Sequence, residues 1–153
     1  MTVSKTDTVI VVGFLILVQG TGALAGFWLP AIAPEVGQSL GLSPSLIAYP
    51  VLILYIFAMI SSLMAGGFVT RFGAWRSSQA ALILIGISHL MFMNGSLIFL
   101  MLGSIILGSA YGLLTPPGSH LLSKIVTPKN RNLVFSIRFT GVPLGGILAG
   151  LLA

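Results

Sequence analysis

Few side chains in this sequence can do chemistry, and Arg138 is the most telling of them. It stands in "NLVFSIRFTGVPLGG", an otherwise apolar stretch, seven residues beyond Arg131. At 1.5 Å per helical residue that spacing is about 10 Å of depth. A cation so placed either snorkels back to lipid headgroups or faces a watery interior and meets an anion or carboxylate there. Gln19, in "ILVQGTGAL", is an amide in the middle of an apolar run and needs hydrogen bonds, from a neighbouring helix or from a bound solute. Tyr55, in "VLILYIFAM", offers a phenol to the same interior, whereas Tyr49 reads as interfacial. Gln19, Tyr55 and Arg138 are therefore the candidate contacts for a small solute. His89 reads as a structural histidine bonded to a neighbouring helix, and His120 as an interfacial side chain.

What is absent narrows the chemistry. There is no cysteine, which removes disulfides, iron–sulfur ligation and thiol catalysis. Neither paired carboxylates, a Ser/His/Asp set nor HExxH occurs, so an enzyme has no visible machinery. No metal-ligand spacing, P-loop or strand-linked GxGxxG is present, and no metal or cofactor is expected. The two acids, Asp7 and Glu35, fall outside the predicted spans. An ion pair to Arg138 within the chain, or a membrane acid carrying protons, is thus not expected.

A second concentration of polar chemistry is "GGFVTRFGAWR", Gly66 to Arg76, which holds two of the seven basic residues. On charge alone, Arg71 and Arg76 are anchors that snorkel to headgroups.

These residues need elements to hold them, and composition says what kind. Of 153 residues 56% are hydrophobic and only 6% charged, with a mean hydropathy of +1.11. A water-facing domain carries about 25% charged residues, so the chain is read as an integral membrane protein whose main partner is the lipid bilayer. The net charge of +5 is spread between apolar runs rather than gathered in a patch, which speaks against nucleic acid.

The fold class expected is all-α: a polytopic bundle of about five transmembrane helices in one domain spanning 1–153. A span needs roughly 20 helical residues. The runs fall at about 8–30, 46–69, 78–93, 97–116 and 133–153. The first also imitates a cleavable signal peptide, with Lys5, an apolar run and "ALA" at 23–25; its continuation through "GFWLPAI" favours a retained span. The basic loops, about 70–77 and 123–132, and Lys5 all fall on one side. That alternation predicts a cytoplasmic N-terminus in the cell (inner) membrane. Gly22/Gly26, Gly108/Gly112, Gly141/Gly145 and Gly146/Gly150 have the small-residue spacing that lets helices approach closely.

"GGFVTRFGAWR" resembles the loop between helices two and three of the major facilitator superfamily: glycine, three residues, an acid, a base, any residue, glycine, any residue, two bases. Gly66, Arg71, Gly73 and Arg76 match, while Thr70 replaces the acid and Trp75 the first closing base. "GLSPSLIAYPVLILYIFAMISSLMAGG" and "LLTPPGSHLLSKIVTPKNRNLVFSIRFTGVPLGGILAGLL" are similar to that family's second helix and its helix four–five region. Ser104 stands where the family's helix-four arginine is expected, and "GVPLGG" departs from its helix-five antiport spacing.

The resemblance, from about residue 8 to 153, corresponds to the first five of twelve helices, an N-terminal domain lacking its sixth. It implies a secondary transporter of a small solute, incomplete alone, with a midplane site alternately opened to each side. A basic residue in helix five without a membrane acid leans the solute toward anions. The missing helices would come from a longer product or a second chain. Gly66 and Gly73 would permit close approach and a tight turn, and Arg71 and Arg76 would latch onto helix ends or carboxylates of the partner domain. The other reading is a non-transporting interaction or assembly protein derived from a truncated transporter.

Overall fold

The computed structural model describes residues 5–153, all of them in helices and short connections. Helix α1 is Lys5–Ser39, α2 Pro44–Phe72, α3 Ala74–Phe92 and α4 Leu97–Ile125. A 3-10 turn, Pro128–Asn130, leads into α5, Arg131–Phe139, and α6, Gly141–Leu152. Four segments among the described residues are long and apolar enough to cross a membrane: Asp7–Ser39, Ser45–Phe72, Leu97–Ile125 and Pro128–Leu152. Helix α3 has 19 residues, about 28 Å at 1.5 Å each. It is less apolar than the others because Arg76, Ser77, Ser78, Gln79 and His89 lie on it. The chain is an all-α membrane bundle.

The last span is one element with a flaw in it. Pro143 has no N–H to give Phe139, and the turn before it tightens, with the Thr140 N–H donating to the Ile137 carbonyl at 3.1 Å. The break at Thr140 separates α5 from α6 and sits two residues beyond Arg138.

Prolines did not end helices elsewhere. Helix α1 runs through Pro30 and Pro34, so the stretch between the first two expected spans, 8–30 and 46–69, is helical as far as Ser39. Each proline costs one backbone bond, which a long apolar helix tolerates. Asp7 and Glu35, expected outside the helices, accordingly both lie in α1, near its two ends and exposed. Helix α4 likewise continues through Pro116 and Pro117 to Ile125. The expected 70–77 loop contracts to a single joint, Gly73, which caps α2 and starts α3 at φ +84°. Side chains other than glycine rarely adopt that conformation.

Side-chain neighbours fix the directions of the helices. Leu54 and Ala58 of α2 face Gly108 and Gly112 of α4 in the same order, so these two run parallel. Gly20 of α1 faces Gly141 and Gly145 of α6, and Phe27 faces Gly146, again parallel. Gln19, Gly22 and Gly26 of α1 meet Thr115, Leu114 and Tyr111 of α4 in reverse order. Hence α1, α3 and α5–α6 point one way and α2 and α4 the other, with Arg71, Arg76, Lys124, Lys129 and Arg131 at one end of the bundle and Glu35 at the other.

Glycine makes the tightest contacts possible. A Cβ on Gly108 or Gly112 would collide with the carbonyl oxygens of Leu54 and Ala58, and one on Gly145 with that of Gly20. Backbones meet there without intervening side chains, the packing that membrane helices use when no hydrophobic drive separates them from lipid. The remaining pairs behave differently. Gly22 and Gly26 accommodate the side chains of Leu114 and Tyr111, and Gly150 meets open space among the described residues.

Candidate functional site

Arg138 lies where α5 crosses α1 and α4, and it is 1% exposed. It does not snorkel. Its Nη1 donates to the Ser119 hydroxyl at 2.8 Å, and its Nη2 donates to Gln19 Oε1 at 3.1 Å and to the Thr115 carbonyl at 3.0 Å. The guanidinium also lies over the Phe139 ring, 5.2 Å from its centroid. All these partners are neutral. The Nε is buried and has no hydrogen-bond partner. Gly118 leaves the room for this arrangement, since a Cβ there would stand 2.7 Å from Nη2 and 2.8 Å from Cζ.

Gln19 is 4% exposed and reaches the cluster from α1. Its amide nitrogen donates to the Thr115 hydroxyl at 3.5 Å, the long limit of a hydrogen bond. The Ser119 hydroxyl donates one turn back to the Thr115 carbonyl at 3.0 Å. Thr115 and Ser119 were not singled out in the sequence. Their proximity to "TPPG" and their spacing of four on α4 were the available signals, and both are common in helices that bind nothing.

The structure brings Arg138 and Gln19 together and leaves Tyr55 apart. Tyr55 is 42% exposed on α2, next to Leu54, which faces Gly108. Gly108 precedes Thr115 by seven residues, about 10 Å along α4. His89 departs from its expected interhelical hydrogen bond. Its Nδ1 is 2.9 Å from the carbonyl of Ile85 in its own helix, and its link to α1 is a stacked contact with Trp28 at 5.5 Å. Ser104, at the position of the expected arginine, is fully buried and donates to the Leu100 carbonyl at 2.7 Å.

At the basic end, Arg71 closes α2 and Arg76 lies in the first turn of α3, both exposed. The Arg71 guanidinium is 5.4 Å from the centroid of the Phe72 ring, a weak cation–π contact at an exposed site. The Thr70 hydroxyl donates to the Gly67 carbonyl at 2.9 Å, so it serves its own helix. Trp75, 60% exposed, stacks on Phe14 of α1 at 5.3 Å. Gly73 forms the turn, whereas a Cβ on Gly66 would have open space among the described residues.

The cluster therefore sets a buried cation among neutral acceptors, and the joint presents two exposed cations at the bundle's end. A search of curated proteins finds no match to this chain. The model of the family described as Major Facilitator Superfamily matches residues 11–153.

Proposed function

The chain belongs to the Major Facilitator Superfamily, a family of membrane transporters, and from that premise we propose that it is the N-terminal part of a secondary transporter for a small anionic solute. The observation that carries this reading is Arg138, a buried cation bound by one hydroxyl, one amide and one carbonyl. A charge inside a membrane protein is expensive without a counter-charge, and no carboxylate is among its partners. A transported anion supplies that charge at the moment of binding. The solute's negative group sits at Arg138 beside Gln19, and Tyr55, about 10 Å away along the bundle, is a second contact for the solute's far end.

Transport in this reading requires a second set of helices, in a longer product or a second chain, against which the bundle rocks. Arg71 and Arg76 latch onto that set, with Gly73 making the turn that aims them and Gly66 leaving a smooth surface for close approach. The basic end faces the cytoplasm, by the bias of lysine and arginine toward that side, with the protein in the cell (inner) membrane.

The test is solute uptake by the assembly purified from its native membrane and placed in liposomes. Benzoate, benzamide and benzylammonium share one shape and differ in charge. The expected result is uptake of the carboxylate alone. Uptake of the amide or the ammonium in preference to benzoate would contradict the reading.

A further inference from the structure

We propose that Gln19 is an internal stand-in for the solute's carboxylate: it occupies Arg138 in the empty state and is displaced when the anion binds. This rests on the anion-site reading above and adds a role opposite to that of an ordinary solute contact, because Gln19 competes with the solute instead of holding it.

The three acceptors at Arg138 differ in how firmly they are held. The Thr115 carbonyl belongs to the backbone of α4 and also receives the Ser119 hydroxyl at 3.0 Å. Ser119, one turn along the same helix, is fixed by that bond while it accepts from Nη1 at 2.8 Å. Gln19 comes from a different helix on a rotatable side chain. Apart from Arg138, its amide is held by the Thr115 hydroxyl at 3.5 Å, too long to anchor it strongly. Of the three, Gln19 is the one that can leave.

What it would vacate has the right shape. Nη2 and Nε lie on one edge of the planar guanidinium, the edge that a carboxylate meets with two parallel hydrogen bonds. Nη2 donates to Gln19 Oε1 at 3.1 Å and to the Thr115 carbonyl at 3.0 Å, while the neighbouring Nε is buried and empty-handed. Loss of Gln19 thus leaves the guanidinium two donors to offer a carboxylate. A carboxylate arriving there meets both nitrogens and brings the counter-charge that an amide lacks. Nη1 stays on Ser119, so Arg138 need not move.

The exchange has a mechanical consequence. The Gln19–Arg138 bond joins α1 to α5, and the other bonds of Arg138 join α5 to α4. Displacing Gln19 removes that link between α1 and α5, while the bonds that tie α5 to α4 and the backbone contact of Gly20 with Gly145 remain. Since Arg138 is 1% exposed, the solute reaches it only as the side chains around it move aside, Gln19 among them.

Equilibrium binding of benzoate to the native assembly in nanodiscs tests this with four proteins. Gln19→Leu removes the competitor at similar size and is expected to tighten benzoate binding about tenfold, the scale of one hydrogen bond to a charged group. Gln19→Glu places a permanent carboxylate on Arg138 and is expected to abolish binding, and Arg138→Gln likewise. Gln19→Leu binding that is unchanged or weaker than wild type, with Arg138→Gln still inactive, overturns the stand-in role and leaves the anion site standing. Undiminished binding in Gln19→Glu does the same. Benzoate binding that survives Arg138→Gln, or that appears in none of the four proteins, overturns the anion site itself.

Discussion

Arg138 Nη2 and Gln19 Oε1 lie 3.1 Å apart and 119 residues apart in sequence. The contact joins the first and last spanning elements among the described residues, yet it is built from a charge and a neutral amide. A cluster retained for stability alone would be better served by apolar side chains, because replacing a buried charged cluster as a whole with hydrophobes of similar volume is often neutral or stabilising. Arg138→Met combined with Gln19→Leu is therefore expected to unfold no earlier than wild type, and up to about 3 kcal/mol later, when thermal unfolding is followed in detergent. Destabilisation of several kcal/mol would make Arg138 a structural brace.

The α2–α4 contact has the opposite character. Gly108 and Gly112 stand against the carbonyls of Leu54 and Ala58, backbone atoms that cannot rotate away. Gly108→Val or Gly112→Val is expected to cost about 1–3 kcal/mol through forced separation. Gly150→Ala, with open space around it among the described residues, should stay within about 0.5 kcal/mol. Thermal unfolding of the three variants side by side checks the contrast.

These cases show how far residue order alone could be read. The apolar runs, the single-sided basic loops and the odd cation at Arg138 were all legible, because each depends on hydropathy and charge along the chain. Helix ends were not: Pro30 and Pro34 look like breakers, but in an apolar helix the missing bonds are few and the ladder continues to Ser39. The environment of Arg138 was half legible. A mid-span glutamine announces itself, whereas Thr115 and Ser119 become ligands only because α5 crosses α4 at Gly118, where no Cβ intervenes. Tyr55 pointed to a polar interior by residue type, and it lies 42% exposed on α2, without a hydrogen bond to Arg138 or Gln19.

The absence of native cysteine makes orientation directly measurable. Ser39→Cys and Asn94→Cys mark the ends of α1 and α3, and Thr127→Cys marks the connection after α4. A membrane-impermeant maleimide should label the first two from outside intact cells and the third only in inverted vesicles. The reverse pattern would place the basic end outside.

Arg71 and Arg76 are exposed and stand at a joint fixed by Gly73. Replacing both with alanine should leave thermal unfolding within about 0.5 kcal/mol, as for surface changes generally. Uptake by the native assembly should nevertheless fall at least tenfold, because a latch acts between states rather than within one. Normal uptake by the double variant would reduce the pair to headgroup anchors.

The central claim is that a buried arginine receives the transported anion. Benzoate uptake by the native assembly in liposomes, compared between wild type and Arg138→Gln, tests it most directly. The glutamine keeps hydrogen-bonding capacity and removes the charge, so uptake should be lost, by about a hundredfold or more for a bidentate charged contact. Uptake by Arg138→Gln at the wild-type rate would contradict the claim.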